Sequence, residues 1–225
     1  MEPFEDATDT IQGECTVTSS KAIPCVIGLK HHLDSLEKES KNCKELISTL
    51  NESLHKRMNI YCENKNFIIA TILDPQFKNV CVNKSNEEVC ELLMEEMRNF
   101  RTEPAQSEEI LCESPPKKKK LFSFLNEKKT SKSLQDNSIN SEVLEYLKEQ
   151  IVSEEMNPLH YWKDNAIKYP NMAKVALKYL SICASSGPVE RLYSVAEEFY
   201  TSSHTALKEE NFENLILIKL NKKLK

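Results

Sequence analysis

The segment Asn157-Pro158-Leu159-His160-Tyr161-Trp162-Lys163 decides how the second half of the chain folds. Asparagine is a favoured helix cap, because its side chain accepts a hydrogen bond from a free backbone N–H at the helix start. Proline suits the first turn, since it has no N–H to lose there and its φ is already helical. A helix is therefore predicted from this point, with Leu159, Trp162, Ala166 and Ile167 on its apolar side.

The sequence on either side of this segment predicts further helices from apolar residues spaced three and four apart. One lies around Val143, Leu144, Leu147 and Ile151, Pro170 opens a second, Pro188 opens a third, and the last begins near Lys208. Four successive apolar residues in the last helix cannot all face one small core. That helix is either sandwiched within the monomer or completes an interface between subunits.

The side chains predicted to pack these helices, or to join two subunits, share an apolar or aromatic character. They are Trp162, Tyr179, Leu180, Leu192, Tyr193, Phe212, Leu215, Ile216, Leu217 and Ile218.

The first half of the chain is also predicted to be helical, after a disordered acidic tail at residues 1–22. Apolar residues at heptad spacing from Leu29 to Leu54 predict one long amphipathic helix that ends near Met58. This helix packs inside a helical domain or, alternatively, forms an intermolecular coiled coil. The apolar run Phe67–Leu73 is a buried helix turn or a strand, and residues 86–100 form another helix.

Residues 101–138 differ in composition from both neighbouring regions, being rich in Glu, Ser, Pro and Lys. This composition predicts a disordered basic linker between two ordered halves. The run Lys117, Lys118, Lys119 and Lys120 fits a nuclear-import signal exposed on that linker. A solvating lysine run that contacts nucleic acid or acidic partners nonspecifically is the alternative.

Charge and cysteine content exclude several classes of protein. The formal net charge of −5 gives the whole molecule no general attraction for nucleic acid. The 8 cysteines include no C-x-x-C pair, so neither a zinc site nor a disulfide framework is expected. No run of apolar residues is long enough to span a bilayer. We expect no membrane association, no cofactor, no metal and no small-molecule substrate.

Several motifs together resemble hAT-type DNA transposases, chiefly the C-terminal dimerisation region of that family. The motifs are Asn157-Pro-Leu-His-Tyr-Trp-Lys163, Tyr169-Pro170, Ala184-Ser-Ser-Gly-Pro-Val-Glu-Arg-Leu-Tyr-Ser194, Leu207-Lys-Glu-Glu-Asn211 and, upstream, Ile72-Leu-Asp-Pro-Gln-Phe-Lys78. The upstream motif is similar to part of the helical insertion of the family. The resemblance implies a mainly α chain: residues 23–100 as the insertion-like region, and residues 139–225 as the C-terminal helical remnant of an RNase H-like transposase.

The resemblance also implies a catalytic centre that this chain does not complete. Transposases of this kind hold two divalent metals about 4 Å apart with three carboxylates. Glu190 matches the third carboxylate, whereas the first two belong to strands expected before the start of this chain. His204 and Ala206 replace basic residues of the family pattern, and the paired ligands of a BED-type zinc finger are missing. Glu190 is then vestigial, a first-turn acid favoured by the helix dipole.

These observations predict a non-enzymatic, domesticated, transposase-derived protein that dimerises through residues 139–225. The expected partner is a second copy or a related transposase-derived protein, and the expected compartment is the nucleus, otherwise the cytoplasm. The alternative is a transcriptional regulator that binds nucleic acid through the basic linker, where binding is expected to be weak.

Overall fold

The computed structural model describes residues 2–39, 43–102, 131–153, 155–199 and 209–221. Within these ranges the chain is mainly α-helical and contains no strand, which confirms the prediction of a mainly α chain. The helices, in chain order, are α1 (Glu2–Ile11), α2 (Ala22–Glu39), α3 (Lys44–Cys62), α4 (Lys65–Leu73), α5 (Asn86–Thr102), α6 (Ser131–Lys148), α7 (Pro158–Asp164), α8 (Pro170–Leu180), α9 (Gly187–Phe199) and α10 (Glu209–Asn221). A short 3-10 turn, Ser19–Lys21, leads into α2.

Helix α4 is the apolar centre of the molecule. Its residues from Ile68 to Leu73 are all buried, which explains why the run shows no amphipathic period. Asn64 caps the helix by accepting a hydrogen bond at 2.9 Å from the backbone N–H of Asn66. Of the two predictions for this run, the helix is therefore confirmed.

One hydrophobic core joins the two halves that the sequence separates. Ile69 and Leu93 from the first half belong to the same buried cluster as Val143, Trp162 and Met172 from the second. Helix α6 begins at Ser131, eight residues before the predicted boundary at residue 139. Residues 103–130, which include the lysine run, lie outside the described residues.

The segment predicted as a disordered tail contains α1 and four consecutive buried residues, Val17–Ser20. Ser20 Oγ donates a hydrogen bond at 2.6 Å to Asp74 Oδ2, and Ser19 Oγ donates one at 3.0 Å to the carbonyl oxygen of Tyr179. The prediction is wrong here because small hydroxyl side chains, typical of solvated segments, bond instead to polar groups of the core.

The single long helix predicted from the heptad leucines is also wrong, because the chain forms two helices, α2 and α3. These pack side by side around Leu33, Ile47 and Leu54, and Asn51 Nδ2 donates a hydrogen bond at 2.7 Å to Asp34 Oδ1 between them. These heptad residues therefore pack against each other within one chain, as predicted by the first alternative, packing inside a helical domain.

Two predicted helix ends are too long. Helix α6 stops at Lys148, which leaves Ile151 outside it and half-exposed at 52%. Helix α7 stops at Asp164, so that Ala166 and Ile167 lie beyond it, with Ile167 96% exposed. The next helix starts with Pro170, and a residue before proline avoids the helical conformation. No helix in the described part is both long and apolar enough to cross a membrane.

Candidate association surface

The motif Ile72–Lys78 is a hub of buried polar contacts between the two halves. Tyr146 donates its hydroxyl to the carbonyl oxygen of Ile72 at 2.9 Å, and the Trp162 indole N–H donates to that of Leu73 at 2.7 Å. These are carbonyls at the end of α4, which have no partner within the helix. The upstream motif and the C-terminal motif of the sequence therefore fold against each other.

Two ionisable residues of the same hub are buried. Asp74 accepts hydrogen bonds from Ser20 Oγ and from the backbone N–H of Gln76, while burial raises the pKa of its carboxyl group. Lys78 donates from Nζ to the carbonyl oxygens of Tyr146 at 2.8 Å and Glu149 at 2.6 Å, and burial lowers its pKa. Its φ of 49° is rare for a side-chain-bearing residue and costs about 1–3 kcal/mol. The contacts of its ammonium group hold the residue in place.

A separate group of polar contacts surrounds Glu149, the residue directly after α6. The carboxylate accepts hydrogen bonds from the hydroxyls of Tyr161 and Tyr169 and from Lys168 Nζ. Burial raises the pKa of Glu149, but the hydrogen bonds from Lys168, Tyr161 and Tyr169 outweigh it and lower that pKa to about 2. This carboxylate is a structural anchor between α6, α7 and α8.

Three of the predicted packing residues belong to this interior. Trp162, Tyr179 and Leu180 are 1%, 5% and 2% exposed, so they support the fold. Tyr179 also donates its hydroxyl to the buried carboxylate of Glu96.

The remaining predicted residues lie on α9 and α10, where burial is less complete. Leu192, Phe212, Leu215 and Ile216 are half-buried. Tyr193, Leu217 and Ile218 are 67%, 55% and 64% exposed, and Val189 joins them at 51%. We call Val189, Tyr193, Leu217 and Ile218 the exposed apolar set. The structure thus separates the ten residues that the sequence grouped together into a core, an intermediate layer and a surface.

The N-terminal segment holds the start of α9. Arg191 Nη1 donates to Glu14 Oε1 at 2.6 Å, and Arg191 Nη2 donates to the carbonyl oxygen of Gln12 at 3.0 Å. A Cβ added at Gly187 would lie 3.1 Å from Gln12 Cγ, so that the two segments are in close contact. Nothing local in the sequence indicates this contact, because it joins residues 177 positions apart in the chain.

Glu190 is exposed and lies in the first turn of α9. Its carboxylate accepts a hydrogen bond at 2.8 Å from Ser186 Oγ. Among the described residues, no group of three or more His, Cys, Asp or Glu side chains is arranged to hold a metal ion. The surroundings of Glu190 are those of a helix start.

A cleft between α7 and α8 was not predicted from the sequence. Its volume is about 550 Å³, and its lining is mostly apolar, with Leu159, Trp162, Ala173 and Leu177 on its walls and Lys163 among its polar residues. Leu177 is 56% exposed, although it sits in a helix whose other large apolar residues are buried. Leu177 is therefore a large apolar residue outside the buried side of its helix, and this departure from the helical pattern is the feature that could have indicated the cleft.

The described structure is thus a helical module whose main core joins both halves and whose last two helices carry exposed apolar residues. Residues 142–221 match the hAT family C-terminal dimerisation region. The matched range includes the whole exposed apolar set and most of the second half of the core. The resemblance to hAT transposases is confirmed.

Similar proteins include two zinc finger BED domain-containing proteins and one transposase. The chain is 26% identical to human zinc finger BED domain-containing protein 4 over 98% of its own length and 19% of that protein. It is 24% identical to mouse zinc finger BED domain-containing protein 6, over 98% and 26% respectively. It is 34% identical to the Drosophila melanogaster transposable element Hobo transposase, over 36% and 14%. The chain therefore spans less than a third of each of these relatives.

Proposed function

We propose that this chain is a transposase-derived protein that binds a second copy of itself through residues 139–225, with α9 and α10 making the contact. The observation that carries the proposal is the exposed apolar set, which lies entirely within the part that matches a dimerisation region. A related transposase-derived protein with the same surface is the alternative partner.

The exposed apolar set lies on two successive helices within the range that matches a dimerisation region. Single apolar residues on a surface are ordinary, and Val80 is of that kind, at 70% exposed. Four such residues on two successive helices offer a surface whose burial would favour association. Helix α10 can then be both packed on one side and used at an interface on the other.

The proposal is tested by light scattering on the full chain and on the double variant Leu217→Glu/Ile218→Glu. Placing two carboxylates in the contact should convert a dimer into a monomer, because each would lose its hydration on association. The matched control is Ile60→Glu, a residue of similar exposure on α3, which should leave the dimer unchanged. A double variant that remains dimeric would show that α10 does not form the interface.

We further propose that the chain does not cleave DNA and that its helices derive from an RNase H-like transposase. The absence of cleavage is supported by the surroundings of Glu190. This residue accepts a hydrogen bond from Ser186 at a helix start and has no neighbouring carboxylate pair among the described residues. Nicking of supercoiled DNA in the presence of Mg²⁺ or Mn²⁺ is the test. Nicking by the wild type that is lost in Glu190→Gln would contradict this proposal.

Nuclear localisation and weak binding to nucleic acid are proposed on sequence alone, since Lys117–Lys120 lies outside the described residues. A fluorescent fusion should move from the nucleus to the cytoplasm when these four lysines are replaced by alanine. The same variant should lose any salt-sensitive binding to DNA, because such binding depends on lysine contacts to phosphate. An unchanged distribution would remove the import role from this run.

A further inference from the structure

We propose that the cleft between α7 and α8 is the place where the partner's α10 docks, so that each copy inserts Leu217 into the cleft of the other. This inference rests on the proposed self-association and specifies its geometry. It gives a function to Leu177, which is exposed and does not belong to the core.

The first observation is that the cleft and the exposed side of α10 are both apolar. The cleft is about 550 Å³ and is walled by apolar side chains, including the exposed Leu177. Close packing at protein interfaces requires such a space to be filled by apolar atoms. Leu217 is 55% exposed within its own chain and is free to supply them.

The second observation is charge. Helix α8 carries the exposed Lys174 and no acidic residue, and Lys163 of α7 lines the cleft. Helix α10 is acidic before its apolar run, with Glu210 and Glu213 exposed. Glu213 lies one turn before Leu217 and therefore on the same side of the helix. Docking Leu217 in the cleft places these carboxylates near the basic helix, where opposite charges fix the orientation.

The third observation is that both surfaces belong to the same matched range, residues 142–221. A contact between two different patches closes into a pair when each copy uses both of them, as a two-fold axis requires. A two-fold pair of this kind contains the contact twice. Pairing of α10 with α10 across the axis would instead leave the cleft empty.

The experiment introduces opposite charges at positions 217 and 177 of the full chain. The dimer dissociation constant is measured by sedimentation equilibrium. Leu217→Lys and Leu177→Glu are each expected to weaken the dimer at least tenfold. The chain with both changes should recover most of that loss, because the new lysine then meets the new glutamate of the partner. Ile60→Glu, which is outside the proposed contact, should have no effect.

The outcomes separate this inference from the proposed function. A wild-type chain that never dimerises overturns both. A dimer that is weakened by Leu217→Lys and unaffected by Leu177→Glu overturns the cleft alone, and the self-association stands. If both single variants weaken the dimer and the combined variant does not recover, direct pairing of positions 217 and 177 is also overturned.

A second measurement covers the case in which Leu177→Glu disturbs folding. A photo-reactive amino acid placed at position 217 should cross-link to residues 157–177 of the other copy, identified by mixing isotopically labelled and unlabelled chains. The same amino acid at position 60 should give no such product. Cross-links from position 217 that fall only on α10 of the other copy would overturn the proposal.

Discussion

Trp162 combines two roles at one position, because its ring fills the core while its N–H bonds to the end of α4. We expect Trp162→Phe to lower the free energy of unfolding by about 1–3 kcal/mol, since it leaves the buried carbonyl oxygen of Leu73 without its donor. Urea unfolding followed by far-UV circular dichroism measures this loss. Tyr193→Phe, which removes a hydroxyl from a 67% exposed ring, should change stability by less than about 0.5 kcal/mol. Equal losses in the two variants would contradict the role of the indole.

Glu149 makes stability depend on pH in the acid range. Its pKa is lowered from 4.5 to about 2 in the folded chain, so the carboxylate stabilises the fold fully above its ordinary pKa. That contribution is lost as the pH falls from about 4.5 towards about 2. Unfolding by urea at a series of pH values should show a decline in this range that is shallower in Glu149→Gln. The same slope in both proteins would exclude Glu149 as its source.

At the scale of single residues, apolar positions were predictable and polar anchors were not. Trp162, Tyr179 and Leu180 follow a helical period, so their burial could be expected from sequence. Asp74 and Lys78 are buried as well, yet charged residues are usually exposed and nothing local marks these two as exceptions. Their partners come from segments more than 50 residues away, which only the folded chain brings together.

Helix α8 begins against a carboxylate from another helix. Glu142 of α6 accepts hydrogen bonds from the backbone N–H groups of Asn171 at 3.1 Å and Met172 at 3.2 Å, and from Asn171 Nδ2 at 2.6 Å. These backbone groups have no partner within their own helix. The charge also suits the positive end of the helix dipole. Glu142 therefore caps α8 and ties it to α6.

Removing this cap should cost about 1–3 kcal/mol in Glu142→Ala, because a buried and a partly buried backbone donor lose their acceptor. Glu142→Gln keeps an acceptor oxygen and should cost less. Thermal or urea unfolding gives both values. Glu145→Ala, one turn away on the exposed side of α6, is the matched control and should cost less than about 1 kcal/mol. A loss in the control as large as that in Glu142→Ala would contradict the cap.

At the scale of elements, helix starts were easier to predict than helix breaks. Asn157 caps α7 as expected, accepting a hydrogen bond at 2.9 Å from the N–H of Leu159, and Pro170 opens α8. The break between α2 and α3 was missed, because Leu33, Ile47 and Leu54 keep one spacing across it. Residues that meet across a hairpin can imitate the period of a single helix.

For the whole molecule, the shared core predicts one cooperative unfolding transition. Val89 in the first half and Val143 in the second are both fully buried in the same cluster. Val89→Ala and Val143→Ala should each shift the entire transition, measured in parallel by circular dichroism and by the fluorescence of Trp162. If Val89→Ala shifted one transition and left a second unchanged, the two halves would be folding as separate units.

The division into an insertion-like region and a dimerisation region came from sequence motifs, which lie on opposite sides of a basic segment. Composition changes are good markers of linkers, but they do not show whether the flanking parts share a core. That information resides in contacts such as Ser19 to Tyr179, which span 160 positions. The exposed apolar set was predicted only in part, because periodicity does not distinguish a buried face from one that a partner covers.

The central claim is self-association, and sedimentation equilibrium of the unmodified chain tests it most directly. Measured from about 1 to about 50 µM, the mass should rise with concentration from that of one chain towards twice 25.9 kDa. A mass that stays at 25.9 kDa across the whole range would contradict the account.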